Sequence, residues 1–67
     1  MNINNIRLAL KDPKLGNGLL VPCLTAGYSR GSYQAQLSDS TGRTESALSN
    51  NLAETLQRVF ATFEITL

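Results

Sequence analysis

A chain of 67 residues has room for one domain, and 42% apolar with 16% charged residues describes a chain that folds, since disordered chains show the reverse balance. It has no histidine, no tryptophan and one cysteine, Cys23, so most acid–base, metal and paired-thiol chemistry at neutral pH lacks its usual side chains. A formal net charge of +1 supplies no bulk attraction to nucleic acid or to an acidic membrane.

Domains near this size bury only about 60% of the surface their unfolded chains expose. A lone cysteine cannot close an internal bridge, and no set of ligands for a structural metal is evident. Self-association is the remaining way to cover apolar surface, so a homodimer is expected. The polar start, Met1-Asn2-Ile3-Asn4-Asn5, has no basic segment followed by an apolar run, so no signal peptide is read. The longest apolar stretch, residues 19–24, is broken by Pro22 and far too short to span a bilayer. A cytoplasmic protein without metal or cofactor is the expectation.

In chain order, residues 6–10 alternate, with Ile6, Leu8 and Leu10 on one face, which predicts a half-buried strand. Residues 11–18 gather Pro13, Gly16, Asn17 and Gly18 and read as a turn or short loop. A second strand is expected over residues 19–25, with Pro22 marking an edge, a bulge or a break. Residues 26–31 read as a turn region. Residues 32–38 alternate cleanly, Tyr33, Ala35 and Leu37 against Gln34, Gln36 and Ser38. Asp39-Ser40-Thr41-Gly42 is a hairpin signal, with the return strand over residues 43–48.

The last element is the strongest. Asn51 is a good helix N-cap, with Glu54 at the spacing of a capping box and Ser49 as an alternative cap. Leu52, Leu56, Val59, Phe60 and Phe63 fall within about a 100° arc, the stripe of a helix lying on a sheet. Glu54 and Arg58 pair at i,i+4 on the opposite side. Residues 65–67 either pack as a tail or add a strand to a partner. The expected fold is α+β: a small three- to four-stranded antiparallel sheet, then one C-terminal amphipathic helix on one face.

Few residues point to chemistry. Cys23, flanked by Pro22 and Leu24 with no histidine available, reads as a buried structural thiol. Gly16-Asn17-Gly18 lacks the longer glycine fingerprint and the following helix of a phosphate loop. The carboxylates Asp12, Asp39, Glu45, Glu54 and Glu64 are scattered, with no calcium-loop spacing. No catalytic residue is assigned. Leu19, Leu20, Val21 and Leu24 exceed the apolar content that one buried face requires, which marks them as interface candidates. Tyr28 beside a turn is a candidate anchor, and Arg30 and Arg43 are candidate partner contacts.

The leading expectation is a non-catalytic protein-binding module: an inhibitor, antitoxin-like or adaptor protein that occupies another protein's surface. Small proteins of this kind are frequent on phages and mobile elements, inhibitors of host defence among them. One alternative is a nucleic-acid-binding domain using the sheet face or its turns, as small three-strands-then-helix domains do in the major groove. The other is a subunit that self-assembles through a sheet edge.

Overall fold

The structure, a computed structural model, describes residues 3–16 and 22–67. They form α1 (Ile3–Ala9), a 3-10 turn (Pro13–Leu15), β1 (Cys23–Ser29), β2 (Ser32–Ser38), β3 (Thr44–Ser49) and α2 (Leu52–Ala61). The strands make one antiparallel sheet in the order β1-β2-β3. The fold is α+β, with the expected sheet followed by a C-terminal helix.

Strand alternation decides which face is covered. Leu24, Ala26 and Tyr28 of β1 stand opposite Leu37, Ala35 and Tyr33 of β2. Those in turn face Glu45, Ala47 and Ser49 of β3. Ala35 and Leu37 are fully buried on this face, whereas Gln34 and Gln36 between them are exposed. The helix α2 lies over β2 and β3. Its stripe is as the periodicity predicts: Leu56, Val59, Phe60 and Phe63 are buried and Leu52 packs at the margin.

The caps of α2 explain its limits. Asn51 Oδ1 accepts the Glu54 N–H at 3.1 Å. The return arm of the capping box runs through a relay. Asn51 N–H donates to Ser49 Oγ at 3.3 Å, and that hydroxyl donates to Glu54 Oε2 at 2.8 Å. Asn51 is therefore the cap, and Ser49 supports it from the end of β3 without starting the helix a turn early. At the other end, Ile65 N–H bonds the Phe60 carbonyl at 3.1 Å and Glu64 N–H bonds that of Ala61 at 2.9 Å. This is the Schellman pattern, with Glu64 at φ 61° in the left-handed position usually given to glycine. It turns Ile65 back onto Phe60, and both are buried. Of the two readings of residues 65–67, Ile65 thus fits the packed tail.

The N-terminal strand predicted over residues 6–10 is instead the end of helix α1. Ile6 and Leu10 are four apart and lie on one side under either period, so they cannot separate strand from helix. Leu8 decides it: 68% exposed, it stands off the core that Ile6, Ala9 and Leu10 join. The chain then turns through Asp12, whose carboxylate accepts the Lys14 N–H at 2.9 Å, and buries Leu15. Gly16, at φ 86°, lies so close to the Ser40 hydroxyl that any Cβ there would collide with it. Ser40 N–H bonds the Leu15 carbonyl at 2.8 Å, tying this segment to the β2–β3 hairpin.

Two further expectations change. The strand predicted over residues 19–25 is β1, Cys23–Ser29, and the turn placed at residues 26–31 shrinks to Arg30 and Gly31. Leu19, Leu20 and Val21, with Asn17 and Gly18, lie outside the described residues. Cys23, expected to be buried, is exposed because it opens an edge strand on the uncovered side of the sheet.

Candidate functional site

The β1–β2 turn sets the geometry of the surface that stands out. Arg30 and Gly31 both take positive φ, 55° and 80°. Two consecutive left-handed residues make a type I′ turn, whose twist matches that of the strands it joins. The hairpin therefore pairs along its whole length, from Ser29 opposite Ser32 to Cys23 opposite Ser38. No residue of β1 is charged.

Among the described residues, β1 has little cover beyond its pairing with β2. Ala26 and Tyr28 point to the helix side yet are exposed, Tyr28 at 64%. The Tyr28 and Tyr33 rings meet across the strands with centroids 4.7 Å apart and planes tilted by 54°. Such aromatic pairs contribute about 0.5–1.5 kcal/mol beyond their burial. Ala26, Tyr28 and Tyr33 line a shallow apolar hollow closed at one side by Leu52, at the start of α2.

The opposite edge, β3, is occupied. The Leu48 carbonyl accepts Arg58 Nη1 at 3.1 Å, while Arg58 Nη2 bonds Glu54 Oε1 at 2.7 Å. Arg43, just before β3, donates Nη2 to the Thr62 carbonyl at 3.1 Å. Its guanidinium lies 4.6 Å from the Phe63 ring centroid, and its Nε is 3.7 Å from Glu45. Lys14 Nζ donates to the Glu64 carbonyl at 2.6 Å, so two cations hold the negative end of α2.

The sequence-derived candidates separate accordingly. Leu24 and Tyr28 share the helix-side face of β1, and Arg30 is exposed at its tip. Arg43 lies at the other end of the sheet, a strand length or roughly 20 Å away, so the arginines cannot form one patch. Ala26, Tyr33 and Leu52 were not singled out by sequence. Ala26 lies in the uncharged strand ahead of the tight turn, Tyr33 follows that turn on β2, and Leu52 opens α2.

The uncovered sheet face is uncharged as well. It presents Thr25, Gly27 and Ser29, then Ser32, Gln34, Gln36 and Ser38, then Thr44, Ser46 and Leu48. Leu48, 61% exposed, is the one large apolar side chain among these. At the sheet end near Cys23, Asp39 organises the hairpin loop. Its Oδ1 accepts from Thr41 Oγ1 at 2.6 Å, Thr41 N at 2.9 Å and Arg43 N at 3.0 Å. The Thr41 hydroxyl, foremost, holds the Asp39 carboxyl below its ordinary value. Among the described residues no three histidines, cysteines or carboxylates gather as metal ligands, and no helix is long and apolar enough to cross a membrane.

The chain matches no protein-family model, no curated protein and no solved structure.

Proposed function

We propose that the protein is a non-catalytic protein-binding module whose recognition element is the edge strand β1. The observation that carries this reading is the uncharged, seven-residue edge with an exposed tyrosine on an apolar hollow beside it. A free strand edge offers main-chain donors and acceptors to an extended segment, and neighbouring side chains add selectivity. Tyr28 supplies the anchor, since tyrosine brings large contact area at low entropic cost. Such a module works by occupying a surface, as an inhibitor, antitoxin-like protein or adaptor does.

The test is affinity capture from a lysate of the native host, with nuclease treatment, using the wild type and Tyr28→Ala. A protein bound in stoichiometric amount, indifferent to nuclease and lost from the variant, supports the reading. An untagged copy of the chain itself counts as such a protein. Recovery of nucleic acid, or capture unchanged by the substitution, overturns it. Arg30→Ala with Arg43→Ala leaves capture intact under this reading.

A further inference from the structure

Resting on that reading, we infer that the segment which pairs with β1 is β1 of a second copy, joined antiparallel about a two-fold axis through Ala26. The main-chain groups of β1 that face outward set the register. In an antiparallel ladder, bonded and unbonded residue pairs alternate. The two-residue turn closes on Ser29 and Ser32 as a bonded pair. Gly27, Thr25 and Cys23 therefore direct their groups to β2, while Tyr28, Ala26 and Leu24 direct theirs away from it. The other hairpin agrees. Asp39 N–H bonds the Arg43 carbonyl at 2.9 Å, and the Ser38 and Thr44 hydroxyls meet at 2.9 Å as they do across an unbonded pair. Counting from there leaves Leu37 and Ala35 bonded to β3 and unbonded to β1.

One register uses the whole outward row. With Ala26 facing Ala26 of the second copy, Leu24 faces Tyr28 of the second copy, and each such pair exchanges both its N–H···O=C bonds. A shift of the axis to Thr25 would set Tyr28 against Pro22, which has no N–H to give. A shift to Gly27 would set Leu24 against Arg30, where the chain has already turned. In the full register the exposed Tyr28 ring lies over half-buried Leu24 of the second copy, with only alanine between the two such pairs. The helix-side hollow of each copy is thereby continued into the other.

Charge and the opposite edge say why the occupant is this chain. Like charges directly across a ladder repel, and β1 meets its own image without one. Pairing β1 with β3 of another copy would generate an open chain of subunits. It would also displace Arg58 from the Leu48 carbonyl and bring Glu45 and Arg43 to the joint. The two-fold arrangement closes and leaves both β3 edges as they are.

Sedimentation velocity of the full chain over a dilution series tests this. The wild type is expected to run as a dimer that dissociates on dilution. Ala26→Lys and Ala26→Glu are each expected to weaken the dimer on the order of 100-fold, because each sets like charges face to face. Their equimolar mixture is expected to recover the dimer, since position 26 faces itself. Circular dichroism of each variant checks that the fold is kept, and Tyr28→Lys is the substitute if either is unfolded. A wild type that is monomeric throughout overturns the inference, as does a dimer that ignores both charges. Tyr28-dependent capture of a different protein by a monomeric wild type would leave the reading of β1 standing. A dimer obeying the charge rule alongside capture of nucleic acid would do the opposite.

Discussion

The two edges of this sheet belong to strands of similar length on either side of β2, yet they are treated differently. The β3 edge has α2 over it, an arginine on its last leucine carbonyl and an ion pair at its start. Among the described residues, the β1 edge has β2 and little else. Widths account for the difference. Strands lie about 4.8 Å apart and a helix with its side chains is about 10 Å across, so one helix covers about two strands. The third is left with apolar residues on its inner face and nothing above them. Ala26 and Tyr28 are that remainder, and the segment of α1, which joins the core through Ile6, Ala9 and Leu10, leaves both exposed.

The covered half depends most on Phe60, its fully buried centre. Phe60→Ala should cost about 3–5 kcal/mol, enough to leave little folded protein, as read by chemical denaturation. An unchanged melting temperature would remove α2 from its place on β2 and β3.

A matched pair of leucines separates the two halves. Leu37 and Leu24 face each other across β2 and β1, the first fully buried and the second half-buried. Leu37→Ala should cost about 2–5 kcal/mol. Leu24→Ala should cost less than half as much, on the order of 1 kcal/mol, because less apolar area leaves water on folding. Equal losses would mean that β1 is as well covered as its neighbour.

A smaller effect, of opposite sign, is expected at Glu64. Replacing a non-glycine residue in the left-handed position by glycine relieves about 1–2 kcal/mol of crowding against a glycine entropy cost of about 0.5–1. Glu64→Gly should therefore raise stability by up to about 1 kcal/mol in a denaturant titration. A loss would show that the Glu64 side chain supports the tail.

The smallest expected effect is on pH. The hydrogen bonds to Asp39 lower its folded-state carboxyl below the ordinary 3.8. The loop's contribution is therefore fully present above 3.8 and is lost as pH falls through the lower folded value. Asp39→Asn should flatten that acid-side decline in a series of melts and leave the neutral-to-basic side unchanged.

Much of the covered half was legible in the sequence, because one period ruled each of its elements. The stripe from Leu52 to Phe63 fits only a helix, and residues 32–38 fit only a half-buried strand. The signal failed where it was short or where the turn carried an unusual residue. Five residues around Leu8 satisfy both periods at Ile6 and Leu10, and tertiary packing chose the helix. Arg30 does not announce a type I′ turn as asparagine or aspartate would, so Gly27 drew the predicted turn too early and hid the end of β1. With that end hidden, Tyr28 was read as a candidate anchor beside a turn, and the strip it shares with Ala26 and Leu52 stayed invisible. Of the apolar cluster expected to mark an interface, Leu24 is half-buried against the core, and Leu19, Leu20 and Val21 lie outside the described residues. The absence of charge along residues 23–29 stood in the sequence beside it.

The first and last described segments share one hollow, where Asn5, Leu8 and Ala9 of α1 border Ile65 and Leu67. Segments this close can be joined by a short linker in a permuted chain of these residues, and exposed turns accept new ends. A chain joined there and reopened between Arg30 and Gly31 would run β2, β3, α2, α1 and finally β1. In that circular permutant the edge strand becomes a terminal segment. It can then be cut away and offered back as a free peptide, which turns the question of what β1 binds into a titration.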